Sequence, residues 1–228
     1  RITLDHPEIF MVQVRAMLKA ASGLNNLQIL LPMVTTVSEV DDAVALIHRA
    51  VHELKEEGDF EVTLPRIGVM VEVPATIIQI ADLAKRADFI SIGSNDLTQY
   101  LLAVDRNNTR VADLYSPYHP SVLRAVRYVV NEVHRVGKTV SICGEMAGDP
   151  GTAILLMAMG FDSLSMSASN LLKVRKTVCM TPLSEAKLLL DEVLAYDNPA
   201  KIRATVEAKL TALGLIDLIR PQGSARSS

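Results

Sequence analysis

Short apolar runs alternate along this chain with longer stretches of helical period. Leu27–Met33, Arg66–Val73, Phe89–Gly93, Thr139–Gly144 and Ser163–Ala168 have the length and aliphatic content of buried strands. Between and after them, apolar positions recur at three- and four-residue spacing. This predicts helices over Glu8–Ala21, Ser38–Glu57, Ala75–Arg86, Leu97–Val104, Pro120–Val136, Pro150–Met159, Asn170–Cys179, Leu183–Ala195 and Pro199–Leu213. Pro7 suits the first turn of the first helix, with Asp5 near its cap, and Ser38 suits the N-cap of the second. The βαβα alternation implies parallel strands joined by right-handed crossovers. An aliphatic α/β sheet with polar groups at its strand ends suggests a (β/α)8 TIM-type barrel, although five strands do not close one. No internal repeat beyond the alternation and no internal linker is evident. Residues 1–220 therefore read as one domain and 221–228 as a disordered tail.

Three of the strand runs end on groups that can do chemistry. Phe89–Gly93 breaks at Gly93-Ser94-Asn95-Asp96 before a helix, with Arg106 beyond the helix end. Arg66–Val73 carries Glu72 near its end and is stopped by Pro74, and Thr139–Gly144 ends on Cys143-Gly144-Glu145. A strand that stops at a glycine and a carboxylate is how α/β folds present reactive groups. Gly93 is expected to take positive φ or to let a ligand approach the backbone. Asn95 and Asp96 offer polar side chains and consecutive N–H groups at a helix start, where anions bind. Arg106 can clamp a phosphate or carboxylate. Glu72 and Asp96 are 24 residues apart, about one βα unit, which predicts two carboxylates at one rim. Two carboxylates plus substrate oxygens suit Mg²⁺. Each residue also has a plain structural alternative. Glu72 or Asp96 caps a helix or pairs with an arginine, and Asn95 shapes an Asx turn. Arg106 pairs with Asp105 or Asp113, and Cys143 is a small buried hydrophobe.

Asp88–Arg106, DFISIGSNDLTQYLLAVDR, resembles the signature of the phosphoenolpyruvate-utilising enzymes in its Gly-Ser-Asn-Asp-Leu core, its Gln99 and its closing Arg106. GVMVEVP and CGEMAGD are similar to the family's two other barrel-rim motifs. LLPMVTTVSEVDDA, SICGEMAGDP and LLMAMGFDSLSMSASNLLKVR extend the likeness across nearly the whole chain, towards Enzyme I of the phosphotransferase system and its nitrogen-regulatory branch. The resemblance implies the phosphoenolpyruvate-binding domain of a phosphoenolpyruvate–protein phosphotransferase, with strands four to eight of a (β/α)8 barrel present here. It implies Mg²⁺ held by Glu72 and Asp96, and substrate held by Asn95, Asp96 and Arg106. It makes Cys143 the acid that protonates C3 of the enolate to give pyruvate, which a thiol of ordinary pKa near 8.5 can do. Expected partners are phosphoenolpyruvate and pyruvate, a histidine phosphocarrier protein acting through an upstream domain, and a second copy in a homodimer. The family's two phosphate-holding arginines from earlier strands have no counterpart here, and none of the five histidines sits in its phosphoacceptor motif. The chain opens at Arg1 in mid-pattern and so reads as a fragment, and without those arginines and that histidine it is expected to be inactive alone. Two other readings stay open: the corresponding domain of a pyruvate phosphate dikinase or phosphoenolpyruvate synthase, and a non-catalytic dimerisation or ligand-sensing fragment.

Composition narrows the picture further. Hydrophobic residues make up 49% of the chain and aromatics only 4%, so the core is aliphatic, as strands buried on both faces require. A net charge of −3 argues against bulk electrostatic binding of nucleic acid. No apolar run reaches bilayer-spanning length and no signal peptide is read, so a cytoplasmic protein without a membrane role is expected. Cys143 and Cys179 lack metal-type spacing, and Cys179 is expected in the core. His48 and His52 lie one helical turn apart with no third ligand and read as a solvated face. Ser141, Glu145 and Asp149 flank the expected site, and His119 is given no role.

Overall fold

The computed structural model describes residues 2–219, so the expected tail over 221–228 lies outside the described residues. The helices are α1 (Ile2–Asp5), α2 (Pro7–Ala20), α3 (Val37–Glu57), α4 (Pro74–Ile78), α5 (Ile80–Arg86), α6 (Ser94–Leu102), α7 (Pro120–Arg135), α8 (Glu145–Gly148), α9 (Pro150–Met159), α10 (Ala168–Met180), α11 (Leu183–Leu194) and α12 (Pro199–Ala212). The strands are β1 (Gln28–Leu31), β2 (Arg66–Val71), β3 (Phe89–Gly93), β4 (Thr139–Cys143) and β5 (Ser163–Ser165). Among the described residues they form one five-stranded sheet in the order β1-β2-β3-β4-β5. The strand at each end of that order has a single neighbour, so the sheet is open, as five strands of an eight-stranded barrel would be. β1 pairs with β2 in parallel, Ile29 opposite Ile67, and β4 with β5, Ile142 opposite Leu164.

The contacts divide the described chain into two compact units. One runs to Ser91 and includes Glu132–Thr139; the other comprises Ile92–Asn131 and the stretch from Val140 onward. In the first unit, α3 is the best-specified helix. Thr36, and not Ser38, is its N-cap: the Thr36 hydroxyl accepts the Glu39 N–H while the Glu39 carboxylate accepts the Thr36 N–H. Gly58, at φ 77, closes the helix in the left-handed region. Val40, Ala43, Ile47, Ala50, Val51 and Leu54 are buried along one stripe, and Arg15 of α2 pairs with Glu53 and Glu57 on a neighbouring face. The expected Ala75–Arg86 helix is two helices, parted at Gln79, whose side-chain amide donates to the carbonyls of Thr35 and Ala75.

The second unit is built around α9. Asp149 caps it by accepting the Thr152 N–H. Apart from Met157, every residue from Pro150 to Met159 is buried, so this helix is apolar all round and packs against α8, α10, α11 and α12. β4 and β5 are aligned by Asp162. Its Oδ2 accepts the Val140 N–H at 2.8 Å and its own N–H bonds the Val140 carbonyl at 3.0 Å. In the first unit Asp88 does the same for Ile67, at 2.8 Å through Oδ2 and 2.7 Å through its N–H. An aspartate just ahead of one strand thus grips the start of the strand before it, twice over.

Gly68 of β2 lies under the Phe89 ring, where an added Cβ would overlap the ring edge. Gly68→Ala is expected to destabilise the chain by about 1–3 kcal/mol in urea unfolding, the usual cost of overpacking. The double variant Gly68→Ala/Phe89→Leu should recover much of that loss. Strict additivity of the two substitutions would show that the ring is not the obstacle.

Candidate active site

α6 begins at Ser94, directly after β3, so Asn95 and Asp96 sit in its first turn rather than in a loop. Gly93 does not use the left-handed region, its φ being −84; the glycine that does is Gly144, at φ 105. Three hydrogen bonds tie this junction to the end of β4. The Ser94 hydroxyl donates to the Cys143 carbonyl at 2.7 Å, the Cys143 thiol donates to the Ile92 carbonyl at 3.6 Å, and the Glu145 N–H donates to Asn95 Oδ1 at 2.9 Å. With its oxygen held there, the Asn95 amide directs its donor end away from Glu145. A Cβ on Gly144 would stand 2.5 Å from Ser94 Oγ and 2.7 Å from Asn95 Oδ1, so this crossing of two backbones admits only glycine.

Asp96 and Arg106 bracket α6. Arg106 Nη2 lies 3.9 Å from Asp96 Oδ1, with the side chains 32% and 39% exposed. That is an ion pair without a close hydrogen bond, worth little to stability. Asp105 instead accepts the Asn107 N–H. Ala103, at φ 52, ends the helix, and Gln99 Oε1 accepts the Arg106 N–H at 3.2 Å, which brings Arg106 back towards the helix it follows. Among the described residues Arg106 Nη1, Thr98 Oγ1 and Tyr115 OH are buried with no hydrogen-bond partner. Burial, then the Glu145 carboxylate, raises the Tyr115 pKa, while Thr98 and Arg106 pull it the other way. A buried guanidinium N–H without an acceptor costs about 1–3 kcal/mol, and a phosphate or carboxylate oxygen is the acceptor that suits it.

An open cleft of about 460 Å³ adjoins this junction, lined by Asn95, Cys143, Glu145, Ser165, Ser167 and Asn170 among others. Cys143 is half-buried there, whereas Cys179 is exposed on α10, contrary to the core position expected for it. Glu72 follows β2 and is 5% exposed; its Oε1 accepts the Met33 N–H at 2.7 Å. Met33 has φ 55, a left-handed conformation unusual for its type, and its N–H is spent on that carboxylate. Among the described residues no group of three or more His, Cys, Asp or Glu side chains is arranged to hold a metal ion. His48 and His52 are exposed on α3, and His52 pairs with Glu56. Sequence reasoning missed Ser94 and the φ of Gly144. A hydroxyl immediately after a strand-ending glycine and a glycine between a thiol and a carboxylate were the available signals.

Residues 1–182 match the family described as "PEP-utilising enzyme, PEP-binding domain". The chain is 46% identical over 220 residues to the phosphoenolpyruvate-dependent phosphotransferase system protein of Escherichia coli K12, covering 96% of this chain and 29% of that protein. It is 42% identical over 207 residues to the phosphoenolpyruvate-protein phosphotransferase of Haemophilus influenzae, covering 91% of this chain and 36% of that one. The chain thus spans about a third of the length of these curated relatives. Among solved structures it is similar to a citrate lyase from Burkholderia xenovorans, with a TM-score of 0.56, 18% identity, and coverage of 90% of this chain and 69% of that one. It is also similar to a pyruvate kinase from Cryptosporidium parvum, with a TM-score of 0.51, 13% identity, and coverage of 91% and 47%. At these identities the two structures speak for the fold alone.

Proposed function

Because the chain belongs to the family of PEP-binding domains of PEP-utilising enzymes, we propose that it binds phosphoenolpyruvate for a phosphoenolpyruvate–protein phosphotransferase. The observation that carries this reading is the convergence of Asn95, Cys143 and Glu145 on one cleft, with Arg106 paired to Asp96, the residue after Asn95. Arg106 takes a phosphate oxygen through its partly exposed guanidinium, and the donor end of Asn95 orients the substrate. Glu72 and Asp96 are the residues that would hold Mg²⁺, each just beyond the C-terminal end of its strand and each offering a hard carboxylate oxygen. When bound, that ion neutralises charge on the phosphate and enolate oxygens.

In the reaction, the bond between phosphorus and the enol oxygen breaks and the electron pair stays on that oxygen. The phosphoryl group passes to a histidine nitrogen on another part of the parent protein, and from there to a histidine phosphocarrier protein. The enolate takes a proton at C3 from Cys143 Sγ, which leaves pyruvate and a thiolate that solvent reprotonates. The names of the relatives favour this reading over a dikinase or synthase. The homodimer and the cytoplasmic setting come with the same proposal. Among the described residues no helix is long and apolar enough to cross a membrane.

Calorimetric titration of the chain with phosphoenolpyruvate in the presence of Mg²⁺ tests the reading. Binding is expected, with Asp96→Asn and Glu72→Gln each weakening it by roughly tenfold or more, equivalent to about 1.4 kcal/mol. Absence of binding, or carboxylate variants that bind like the parent, would overturn it.

A further inference from the structure

Behind the cleft, in the same unit, lies a line of buried hydrogen bonds that the proposed reaction does not use. Tyr118 is 6% exposed, and its hydroxyl donates to Asp149 Oδ1 at 2.7 Å. The same oxygen accepts the Thr152 N–H at 2.8 Å. Thr152 is fully buried; its hydroxyl donates to the Met146 carbonyl and lies 3.2 Å from the Asp149 carbonyl. Met146 belongs to α8, the single turn that follows Cys143 and Gly144 directly, and the residue before Met146, Glu145, is held through its N–H by Asn95.

A turn of four residues has almost no stability of its own, because nucleating a helix fixes several dihedrals for one hydrogen bond. α8 also lacks a side-chain cap at Gly144. Its placement must therefore come from outside. The packing around Tyr118 fits that task. A Cβ on Gly151 would stand 2.5 Å from the Tyr118 hydroxyl and 3.0 Å from Val206, so glycine is what lets the phenol reach Asp149. The Arg203 guanidinium lies over the Tyr118 ring, 5.2 Å from its centre. Burial, reinforced by Asp149, raises the phenol's pKa far enough to keep it a neutral donor.

We infer that Tyr118, Asp149 and Thr152 form a buried positioning relay that sets where the Cys143–Gly144–Glu145 segment lies, and with it the thiol facing the cleft. These are positioning residues; none of them touches the reacting atoms. What the placed thiol does rests on the proposed function, but its placement does not.

The chain's two cysteines provide the test, because Cys179 is exposed and serves as an internal reference for Cys143. Alkylation of both by iodoacetamide is followed by mass spectrometry from pH 6 to 9, and the ratio of the two rates is taken. Thr152→Val keeps the shape of the side chain and removes the hydroxyl; Tyr118→Phe removes the donor to Asp149. Each is expected to change the Cys143-to-Cys179 ratio by roughly threefold or more and to shift the pH profile of Cys143 alone, since alkylation follows thiolate population and access. Thr152→Ser should restore the parental ratio to within about twofold. If Thr152→Val fails to fold, Tyr118→Phe decides, since it leaves the Asp149–Thr152 bond in place. Ratios and profiles equal to the parent's, in variants that merely melt earlier, would overturn the relay. Protection of Cys143 by phosphoenolpyruvate with Mg²⁺ in the parent chain is read separately. Its absence would count against the proposed function, while the relay stands or falls on the rate ratio.

Discussion

Gly144→Ala is expected to abolish measurable binding of phosphoenolpyruvate, weakening it by at least roughly 100-fold, or about 2.7 kcal/mol. Two independent effects add. At φ 105 an L side chain is strained, by about 1–3 kcal/mol. The new Cβ would also stand 2.5 Å from Ser94 Oγ and 2.7 Å from Asn95 Oδ1, and neither is the tip of a long flexible chain. Relief requires the two junctions to part, which breaks the Ser94 bond to the Cys143 carbonyl and the Glu145 N–H bond to Asn95. Calorimetry gives the affinity and urea unfolding the stability. A variant that binds within twofold of the parent would show that this crossing does not shape the ligand site.

Cys143→Ala separates the two halves of the proposed chemistry. In a full-length phosphotransferase carrying this domain, transfer of the phosphoryl group should largely survive, because the thiol enters only afterwards. Exchange of pyruvate methyl protons with solvent deuterium, followed by NMR, should fall by about 10²–10⁴-fold, the usual contribution of a positioned acid or base. The S–H donates to the Ile92 carbonyl at the cleft wall, so alanine removes one weak hydrogen bond and a small volume. Its effect on folding is expected to be modest. Unchanged exchange would take the proton-donor role away from Cys143.

Much of this architecture is readable along the chain. The period of the apolar residues defines β3 and α9 to the residue, because Gly93 and Gly160 mark their ends and the flanking pattern is unmixed. The positions of the candidate residues are legible because they flank short apolar runs: Cys143 closes β4, and Asn95 and Asp96 lie in the first turn after β3. Other features depend on partners distant in sequence. The break at Gln79 reflects an amide that reaches back to Thr35, and no local pattern announces that. The N-cap of α3 falls two residues ahead of the expected Ser38. Thr36, Val37 and Ser38 all lie before the apolar stripe, and only Thr36 stands three residues ahead of Glu39. Residue type alone suggests a core position for Cys179, but on α10 the buried positions are Val174 and Thr177. α8 is too short to carry any periodicity.

Asp88 and Asp162 each fasten the beginning of a neighbouring strand, at Ile67 and Val140, whereas the groups proposed to react sit where strands finish. Alignment is thus secured at one extremity of a strand and the proposed chemistry placed at the other, a full strand's length away. Loss of either carboxylate is therefore expected to loosen the start of a strand, the extremity farthest from the side chains proposed to react.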